Sequence, residues 1–163
     1  MKDLTVVGID SRKEPISLAK TLKYTADLLI DSSHGVQAAV EQIKKLPKNN
    51  DFSGLDAVII ATGAIEAFDF GADLLRKHGT LVVVGQPSEK ISFSFYQFIF
   101  RDIVVKGSLL SDAVTCQEMV DLVAAKGIEV KTKVFDRRRS SLTFRALTLM
   151  RLMRWWRNIT NQR

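Results

Sequence analysis

The hydrophobic pattern of residues 1–136 alternates between two kinds of segment. Short runs rich in β-branched residues predict strands, and longer stretches with apolar residues three or four positions apart predict helices. The predicted strands are Leu4–Ile9, Asp27–Ile30, Asp56–Thr62, Thr80–Gly85 and Ile103–Leu109. The predicted helices are Glu14–Lys23, Val36–Leu46, Ala64–Lys77 (closed by Gly79) and Thr115–Lys126 (closed by Gly127). This alternation predicts an α/β fold, in which a parallel sheet is covered by helices on both faces.

Three further segments are assigned more loosely. Residues 48–54 are polar and predict a turn, and residues 129–135 fit an extended segment. The aromatic-rich segment Ile91–Phe100 fits either a helix or a loop.

Charge divides the chain at Asp136. The 163 residues carry a formal net charge of +6, yet residues 1–136 hold 16 Lys and Arg against all 18 Asp and Glu. Residues 137–163 hold eight arginines, no lysine and no acid. The sequence therefore predicts a mildly acidic domain over residues 1–136 and a basic tail over 137–163. Nucleic-acid binding does not follow from the overall positive charge, because that charge is confined to the tail.

The tail leaves two interpretations open. Residues 144–157 (FRALTLMRLMRWWR) predict a basic helix, of a kind that binds anionic membranes, calmodulin or nucleic acid, although Arg145 interrupts its apolar side. The alternative is that the segment is not selected for function and reflects an altered reading frame after Asp136.

Composition excludes several classes of protein. The single cysteine, Cys116, excludes an intrachain disulfide framework. One cysteine and two histidines, His34 and His78, argue against a zinc site, which needs three or four ligands. The longest apolar stretches are near ten residues, too short to cross a bilayer, and the amino terminus lacks a secretory signal. A reducing, cytoplasmic location is expected.

Small and polar residues follow each predicted strand. Ligands of open parallel α/β sheets bind outside the carboxyl ends of the strands, so these positions form the candidate site. They are Asp10–Arg12, Asp31–His34, Thr62–Ala64, Gly85–Pro87 and Gly107–Leu109. A glycine after a strand also serves simply to turn the chain.

Asp10 is the most informative of these residues. An acid at a strand end can accept hydrogen bonds from an adenosine ribose and would repel a 2′-phosphate, whereas the alternative role is to cap the helix that follows. The glycine-rich turn that binds a pyrophosphate should lie about 20 residues before such an acid. Only nine residues precede Asp10, and Gly8 is their one glycine. Cofactor binding is therefore expected to be weak or lost.

Three stretches of the chain resemble the cofactor-binding domain of the medium-chain zinc-type alcohol dehydrogenases. They are VVGIDSRKE (6–14), DAVIIATGAIEAFDFGADLLRKHGTLVVVGQPSEKIS (56–92) and IVVKGSLLSDAVTCQEMVDLVAAKGIEVKTKVF (103–135). The resemblance implies a doubly wound, Rossmann-like parallel sheet and an NAD-dependent oxidoreductase acting on small alcohols. It implies NAD binding at residues 10–12 (Asp10, Ser11, Arg12), 61–63 (Ala61, Thr62, Gly63), 84–86 (Val84, Gly85, Gln86) and 108–109 (Ser108, Leu109). It also implies oligomerisation through the edge strand 103–109.

The chain departs from the family pattern in three respects. The zinc-binding catalytic domain and the first strand with its glycine turn are absent, and the tail replaces the family's closing segment. The fold is therefore expected to be an incomplete Rossmann-like sheet without its central first strand, in an amino-terminally truncated chain with no zinc ligands and no activity of its own. We expect strand 4–9 to pair directly with strand 57–62 across the missing position. The alternatives are that two sub-sheets separate or that a partner supplies a strand. The alternative function is a non-catalytic remnant or interaction module.

Overall fold

The structure, a computed structural model, describes residues 4–46 and 54–129. Its strands are β1 (Val7–Asp10), β2 (Leu28–Asp31), β3 (Leu55–Ile60), β4 (Leu75–Val83) and β5 (Val104–Gly107). Its helices are α1 (Lys13–Lys20), α2 (Gly35–Ile43), α3 (Glu66–Leu74), α4 (Phe95–Ile99) and α5 (Ala113–Lys126). A 3₁₀ turn, Ser32–His34, precedes α2. The α/β class predicted from the sequence is confirmed.

The strands form two parallel sheets. β1 pairs with β2, so that Asp10 is the register partner of Asp31. β4 lies between β3 and β5 and pairs in parallel with both. This arrangement fits a doubly wound sheet with the strand order 3-2-1-4-5-6. In that order β2 and β1 take positions 3 and 2, and β3, β4 and β5 take positions 4, 5 and 6. The strand at position 1 is not among the described residues.

The prediction that strand 4–9 pairs with strand 57–62 is wrong. Among the described residues β1 pairs with β2, and β3 pairs with β4. The prediction rested on the cost of leaving backbone donors and acceptors unpaired in the core. Among the described residues the strands instead form two separate sub-sheets, the first of the alternatives. In the structure they are joined by side chains, through a hydrophobic cluster that includes Ile9 of β1, Ile30 of β2, Leu55 of β3 and Leu74 of α3.

Two hydrophobic clusters form the core. The cluster that joins the sheets is centred on four fully buried side chains, Ile30, Ala39, Ile43 and Leu74. The second packs α3 against the three-stranded sheet, and its buried members are Ile60, Phe68, Ala72, Leu75, Leu81 and Ile103. Gly71 lets α3 approach that sheet closely, because a Cβ there would lie 2.7 Å from the Ile60 side chain.

The predicted helix 64–77 is shorter in the structure, because β4 already begins at Leu75. Arg101 binds the end of this helix. Its guanidinium donates to the carbonyl oxygens of Ala72 at 3.2 Å and Asp73 at 3.3 Å, and also to that of Leu75, the first residue of β4. Ala72 and Asp73 lie in the last turn of α3, where carbonyl oxygens lack the usual i+4 helical donors. Gly79, predicted as the helix stop, lies inside β4 instead.

Other boundaries agree more closely with the sequence. Asp112 caps α5 by accepting the backbone N–H of Thr115 at 2.7 Å, and the predicted stop at Gly127 is confirmed by its left-handed φ of 60°. The aromatic segment 91–100 contains the short helix α4. Residues 48–53, 130–136 and the basic tail 137–163 lie outside the described residues, as does the predicted helix 144–157. Within the described ranges, no helix is long and apolar enough to cross a membrane.

Candidate functional site at the strand ends

The sequence-predicted site residues all follow a strand at its carboxyl end. Asp10 is the last residue of β1, and Ser11 and Arg12 come next. Ala61, Thr62 and Gly63 follow β3; Val84, Gly85 and Gln86 follow β4; Ser108 and Leu109 follow β5. Because the strands within each sheet are parallel, each sheet carries its predicted residues along one edge.

Asp10 is held by Arg12. The Arg12 Nε–H donates to Asp10 Oδ1 at 3.1 Å, and Nη2–H donates to Oδ2 at 3.2 Å. The backbone N–H of Arg12 also donates to Oδ1, at 2.9 Å. These hydrogen bonds, the side-chain bond from Arg12 first, lower the pKa of Asp10, so its carboxylate stays ionised at neutral pH. The predicted alternative role as a helix cap is wrong, since the residue at the cap position of α1 is Arg12.

Asp31 is a second acid at the same edge. The strand-end pattern of the sequence placed it in the candidate site, but the NAD-binding set implied by the family resemblance did not include it. Its Oδ1 accepts the backbone N–H of Ser33 at 2.9 Å, and its Oδ2 lies 4.0 Å from His34 Nε2. Hydrogen bonding from Ser33 lowers its pKa. The sequence carried a signal for it, because β1 and β2 end in the same Ile–Asp pair. A register that aligns the two strands makes these acids neighbours.

The loops after β3 and β4 touch each other through their backbones. A Cβ on Gly85 would overlap the Thr62 carbonyl group, and a Cβ on Gly63 would lie 3.2 Å from the Gln86 carbonyl oxygen. The N–H groups of Val84 and Gly85 both donate to the Ile60 carbonyl oxygen, at 3.0 and 2.8 Å. At position 85 only glycine permits this approach, whereas a Cβ at position 63 would make a tight contact, so both glycines do more than turn the chain.

The loop after β5 continues the same edge. The Ser108 N–H donates to the Val83 carbonyl oxygen at 2.9 Å, which holds Ser108 beside the end of β4. Leu109 is 72% exposed. The structure therefore brings together the predicted residues after β3, β4 and β5. No hydrogen bond or ion pair found among residues 4–46 and 54–129 links them to Asp10, Ser11 or Arg12, which belong to the other sheet.

The residues fit some parts of a dinucleotide and not others. An ionised, partly exposed acid at the end of β1 suits a ribose. Val84, Gln86, Ser108 and Leu109, after β4 and β5, are exposed. The described residues do not include a glycine-rich turn leading into a helix, which is the usual pyrophosphate site. They also contain no group of three His, Cys, Asp or Glu residues able to hold a metal ion. The described residues thus fit the ribose of a dinucleotide better than its pyrophosphate, and they do not fit zinc.

Comparison with known sequences decides the family. A sequence model described as zinc-binding dehydrogenase matches residues 1–125. The chain belongs to this family. The resemblance drawn from residues 6–14, 56–92 and 103–135 is therefore confirmed.

The matched dehydrogenases are considerably longer than this chain. D-xylulose reductase A of Aspergillus niger is 31% identical over 127 residues, which are 77% of this chain and 34% of that protein. An alcohol dehydrogenase of Geobacillus stearothermophilus is 30% identical over 131 residues, 80% of this chain and 36% of that protein. The chain therefore spans about a third of the length of the curated dehydrogenases that it matches.

Solved dehydrogenase structures share the fold. A zinc-binding dehydrogenase of Sinorhizobium meliloti, solved with NADP bound, superposes with a TM-score of 0.62 at 28% identity and covers 77% of this chain and 36% of its own. The alcohol dehydrogenase of Aeropyrum pernix superposes with a TM-score of 0.68 at 23% identity, over 94% of this chain and 41% of its own. The second likeness shows the fold alone.

Proposed function

We propose that this chain binds NAD across the carboxyl ends of its strands, as the cofactor-binding part of a dehydrogenase. The reaction proposed for the whole enzyme is hydride transfer between a small alcohol and NAD. The observation that carries the proposal is the ionised Asp10 at the end of β1 in a chain of the zinc-binding dehydrogenase family. The names of the matched relatives, a xylulose reductase and an alcohol dehydrogenase, support a hydroxyl or carbonyl compound as the substrate.

In this proposal Asp10 holds the adenosine ribose. A carboxylate accepts hydrogen bonds from ribose hydroxyls and repels a phosphate at the 2′ position, which favours NAD over NADP. Ser11 and Arg12 lie beside it, both exposed. The absence of a glycine-rich turn among the described residues predicts weak binding, because no described backbone N–H groups replace it at the pyrophosphate.

The loops after β3, β4 and β5 hold the nicotinamide half. Thr62 and Gly63 approach the cofactor from the end of β3, Val84, Gly85 and Gln86 from β4, and Ser108 and Leu109 from β5, with Ala61 at the start of the first loop. These loops are fixed to one another by backbone contacts rather than by flexible side chains. Their part in the reaction is to orient the nicotinamide ring, since a fixed geometry lowers the entropic cost of reaching the transition state.

The bound nicotinamide would supply the hydride acceptor, and this chain's residues would bind and orient it. The described residues contain no acid, base or metal site that the structure ties to the reacting carbon. Catalysis therefore requires groups beyond those described here, and we expect the isolated 163-residue chain to bind NAD without oxidising an alcohol.

Titration with NAD, followed by ¹H–¹⁵N NMR spectra of the chain, tests this function. We expect saturable shifts with a Kd on the order of 1 mM. Asp10→Ala should weaken binding by about tenfold, the factor that corresponds to 1.4 kcal/mol. Asp56→Ala is the matched control, because Asp56 pairs with Arg76 at the start of β3, away from the carboxyl ends. No saturable shift up to about 10 mM NAD, or the same loss in both variants, would contradict the proposal.

A second candidate function is an interaction module that pairs through the edge strand 103–109. All four residues of β5 are exposed, and within the described part of the chain β5 has β4 as its one strand partner. An exposed strand edge offers backbone groups for pairing with another chain. Val104→Lys should abolish any oligomer seen by sedimentation while leaving NAD binding unchanged. A monomer at all concentrations would rule this candidate out.

A further inference from the structure

We propose that the basic tail, residues 137–163, binds the surface of anionic lipid membranes. The proposed nucleotide binding makes no use of this segment, so the two functions are independent. The tail holds eight arginines and no acid, whereas residues 4–46 and 54–129 hold 12 Lys and Arg against 15 Asp and Glu. An anionic surface attracts the tail and repels the described domain, so the contact is made by the tail.

The tail also carries more apolar side chains than binding by charge alone requires. Within residues 144–157 nine side chains are apolar and four are arginines. The helix that the sequence predicts there has an apolar side and an opposite basic side. The apolar side carries Leu149, Leu152, Met153 and Trp156, and the basic side carries Arg151, Arg154 and Arg157. A helix of this kind lies along a membrane surface, with its apolar side among the acyl chains and its cations at the headgroups.

Two further features suit the boundary between headgroups and acyl chains. Both tryptophans of the chain, Trp155 and Trp156, belong to the tail. Trp is enriched at this boundary, because its ring is apolar and its N–H is polar. Arg145 interrupts the apolar side, but it lies in the first turn of the predicted helix, where a long side chain can extend its charge to the headgroups.

The same composition argues against nucleic acid as the ligand. Arginine can contact phosphates and tryptophan can stack on a base, but the Leu and Met side chains would gain no burial from either contact. A hydrophobic groove such as that of calmodulin would bury them. However, Arg137, Arg138 and Arg139 precede the predicted helix, and a groove that encloses the helix leaves them outside. An extended anionic surface attracts them as well.

Cosedimentation of the full chain with lipid vesicles tests this function. One set of vesicles is pure phosphatidylcholine, and the other contains about 30% phosphatidylserine. The second set should bind the chain at least about tenfold more tightly, and about 1 M salt should remove most of this difference by screening the charges. Because both tryptophans lie in the tail, their fluorescence emission should shift to shorter wavelength on binding.

Substitutions in the full chain separate the contribution of charge from that of apolar contact. Replacing Arg151, Arg154 and Arg157 together by Gln should weaken binding to the phosphatidylserine vesicles at least about tenfold. The matched control replaces three exposed lysines of the described domain by Gln, which removes the same charge and should change the affinity less than about twofold. These lysines are Lys20, Lys45 and Lys90.

The double variant Leu149→Gln and Leu152→Gln tests the apolar side. It should also weaken vesicle binding at least about tenfold, which a contact made by charge alone would not show. Equal binding to both sets of vesicles, equal loss in the arginine and lysine variants, or no loss in the leucine variant overturns the proposal. So does tighter binding to a short DNA duplex or to Ca²⁺-loaded calmodulin than to the phosphatidylserine vesicles.

Amide spectra of each variant establish that it is folded before the affinities are compared. The arginine variant should bind NAD with the same Kd as the wild-type chain. A failure of membrane binding is thereby distinguished from a failure of the proposed nucleotide binding.

Discussion

The two sheets end in sites of different construction. At the ends of β1 and β2, the proposed contacts to the cofactor are made by carboxylates, which hydrogen bonds from Arg12 and Ser33 hold in place. At the ends of β3 and β4, backbone groups of neighbouring loops lie against each other, and glycines make their approach possible. A substitution that changes a charge is therefore expected to disturb the first region. The second region is expected to respond to substitutions that push the two loops apart.

The two regions also differ in how many of their side chains are buried. The three-stranded sheet packs its own cluster around Phe68 and Leu81, both buried. The residues of β1 are all only partly buried, and the β1–β2 sheet depends on the cluster that Leu74 shares with it. We expect the region with charged chemistry to be the less stable of the two, because few of its side chains are fully withdrawn from water.

The largest effect should come from the residue that joins the two regions. Leu74, the last residue of α3, is fully buried in the hydrophobic cluster that also contains side chains of β1, β2 and α2. Leu74→Ala should lower the free energy of unfolding by about 2–5 kcal/mol, through lost burial and the cavity left behind. Urea denaturation measures the loss in the free energy of unfolding of the whole chain. Hydrogen exchange should show that the amides of β1 and β2 lose more protection than those of β3–β5.

Leu110→Ala is the control for that change, because Leu110 is 74% exposed. This substitution should lower the free energy of unfolding by no more than about 0.5 kcal/mol. Equal loss of protection in both sheets of Leu74→Ala would show that the two regions unfold as one unit.

A smaller effect is expected where the backbones of two loops meet. Gly85→Ala places a methyl group against the Thr62 carbonyl and should destabilise the fold by about 1–3 kcal/mol, because backbone must move. Gly107→Ala is the matched control, since a Cβ there has no atom within 4 Å. Thermal unfolding compares the two, and equal changes in Tm would refute the close approach of the loops.

The smallest effect concerns the acid at the end of β1. Because folding lowers the pKa of Asp10, its ionised form stabilises the fold at pH values above its ordinary pKa, and this contribution is lost as the pH falls through the lowered value. Asp10→Asn should therefore cost less than about 1 kcal/mol at pH 7 and nothing once the wild-type carboxyl is protonated. Arg12→Gln should reduce the same pH dependence, and a cost that is constant from neutral to acidic pH would contradict the pairing.

The sequence predicted those features of the fold and the candidate site that depend on the type of a single residue or on its spacing along the chain. Alternating apolar segments predicted the α/β class, and the acid at the end of β1 stood out because a carboxylate there can accept hydrogen bonds from a ribose. The Asp10–Arg12 pairing could not be predicted, since the spacing allows either residue to face solvent. The contact between Gly85 and Thr62 was also hidden, because it depends on how β3 and β4 pair and not on any residue type.

The fold diverged from the sequence-based prediction where distant contacts override local pattern. Periodicity extended α3 to Lys77, but β4 begins at Leu75, and Arg101, far along the chain, binds carbonyl oxygens at this junction. The expected pairing of strands 4–9 and 57–62 rested on backbone hydrogen bonds alone. Side-chain packing through α2 and α3 joins the sheets in its place.

The most direct test of the account is the position of the amide shifts when NAD is titrated into the ¹⁵N-labelled chain. Binding across both regions predicts that Asp10 and Arg12 shift together with Gly63, Gly85 and Ser108, all with one Kd. The amides of Asp56 and Arg76, at the start of β3 and β4, should stay in place. Shifts confined to one of the two regions, or spread equally to Asp56 and Arg76, would contradict a cofactor site that spans the strand ends of both sheets.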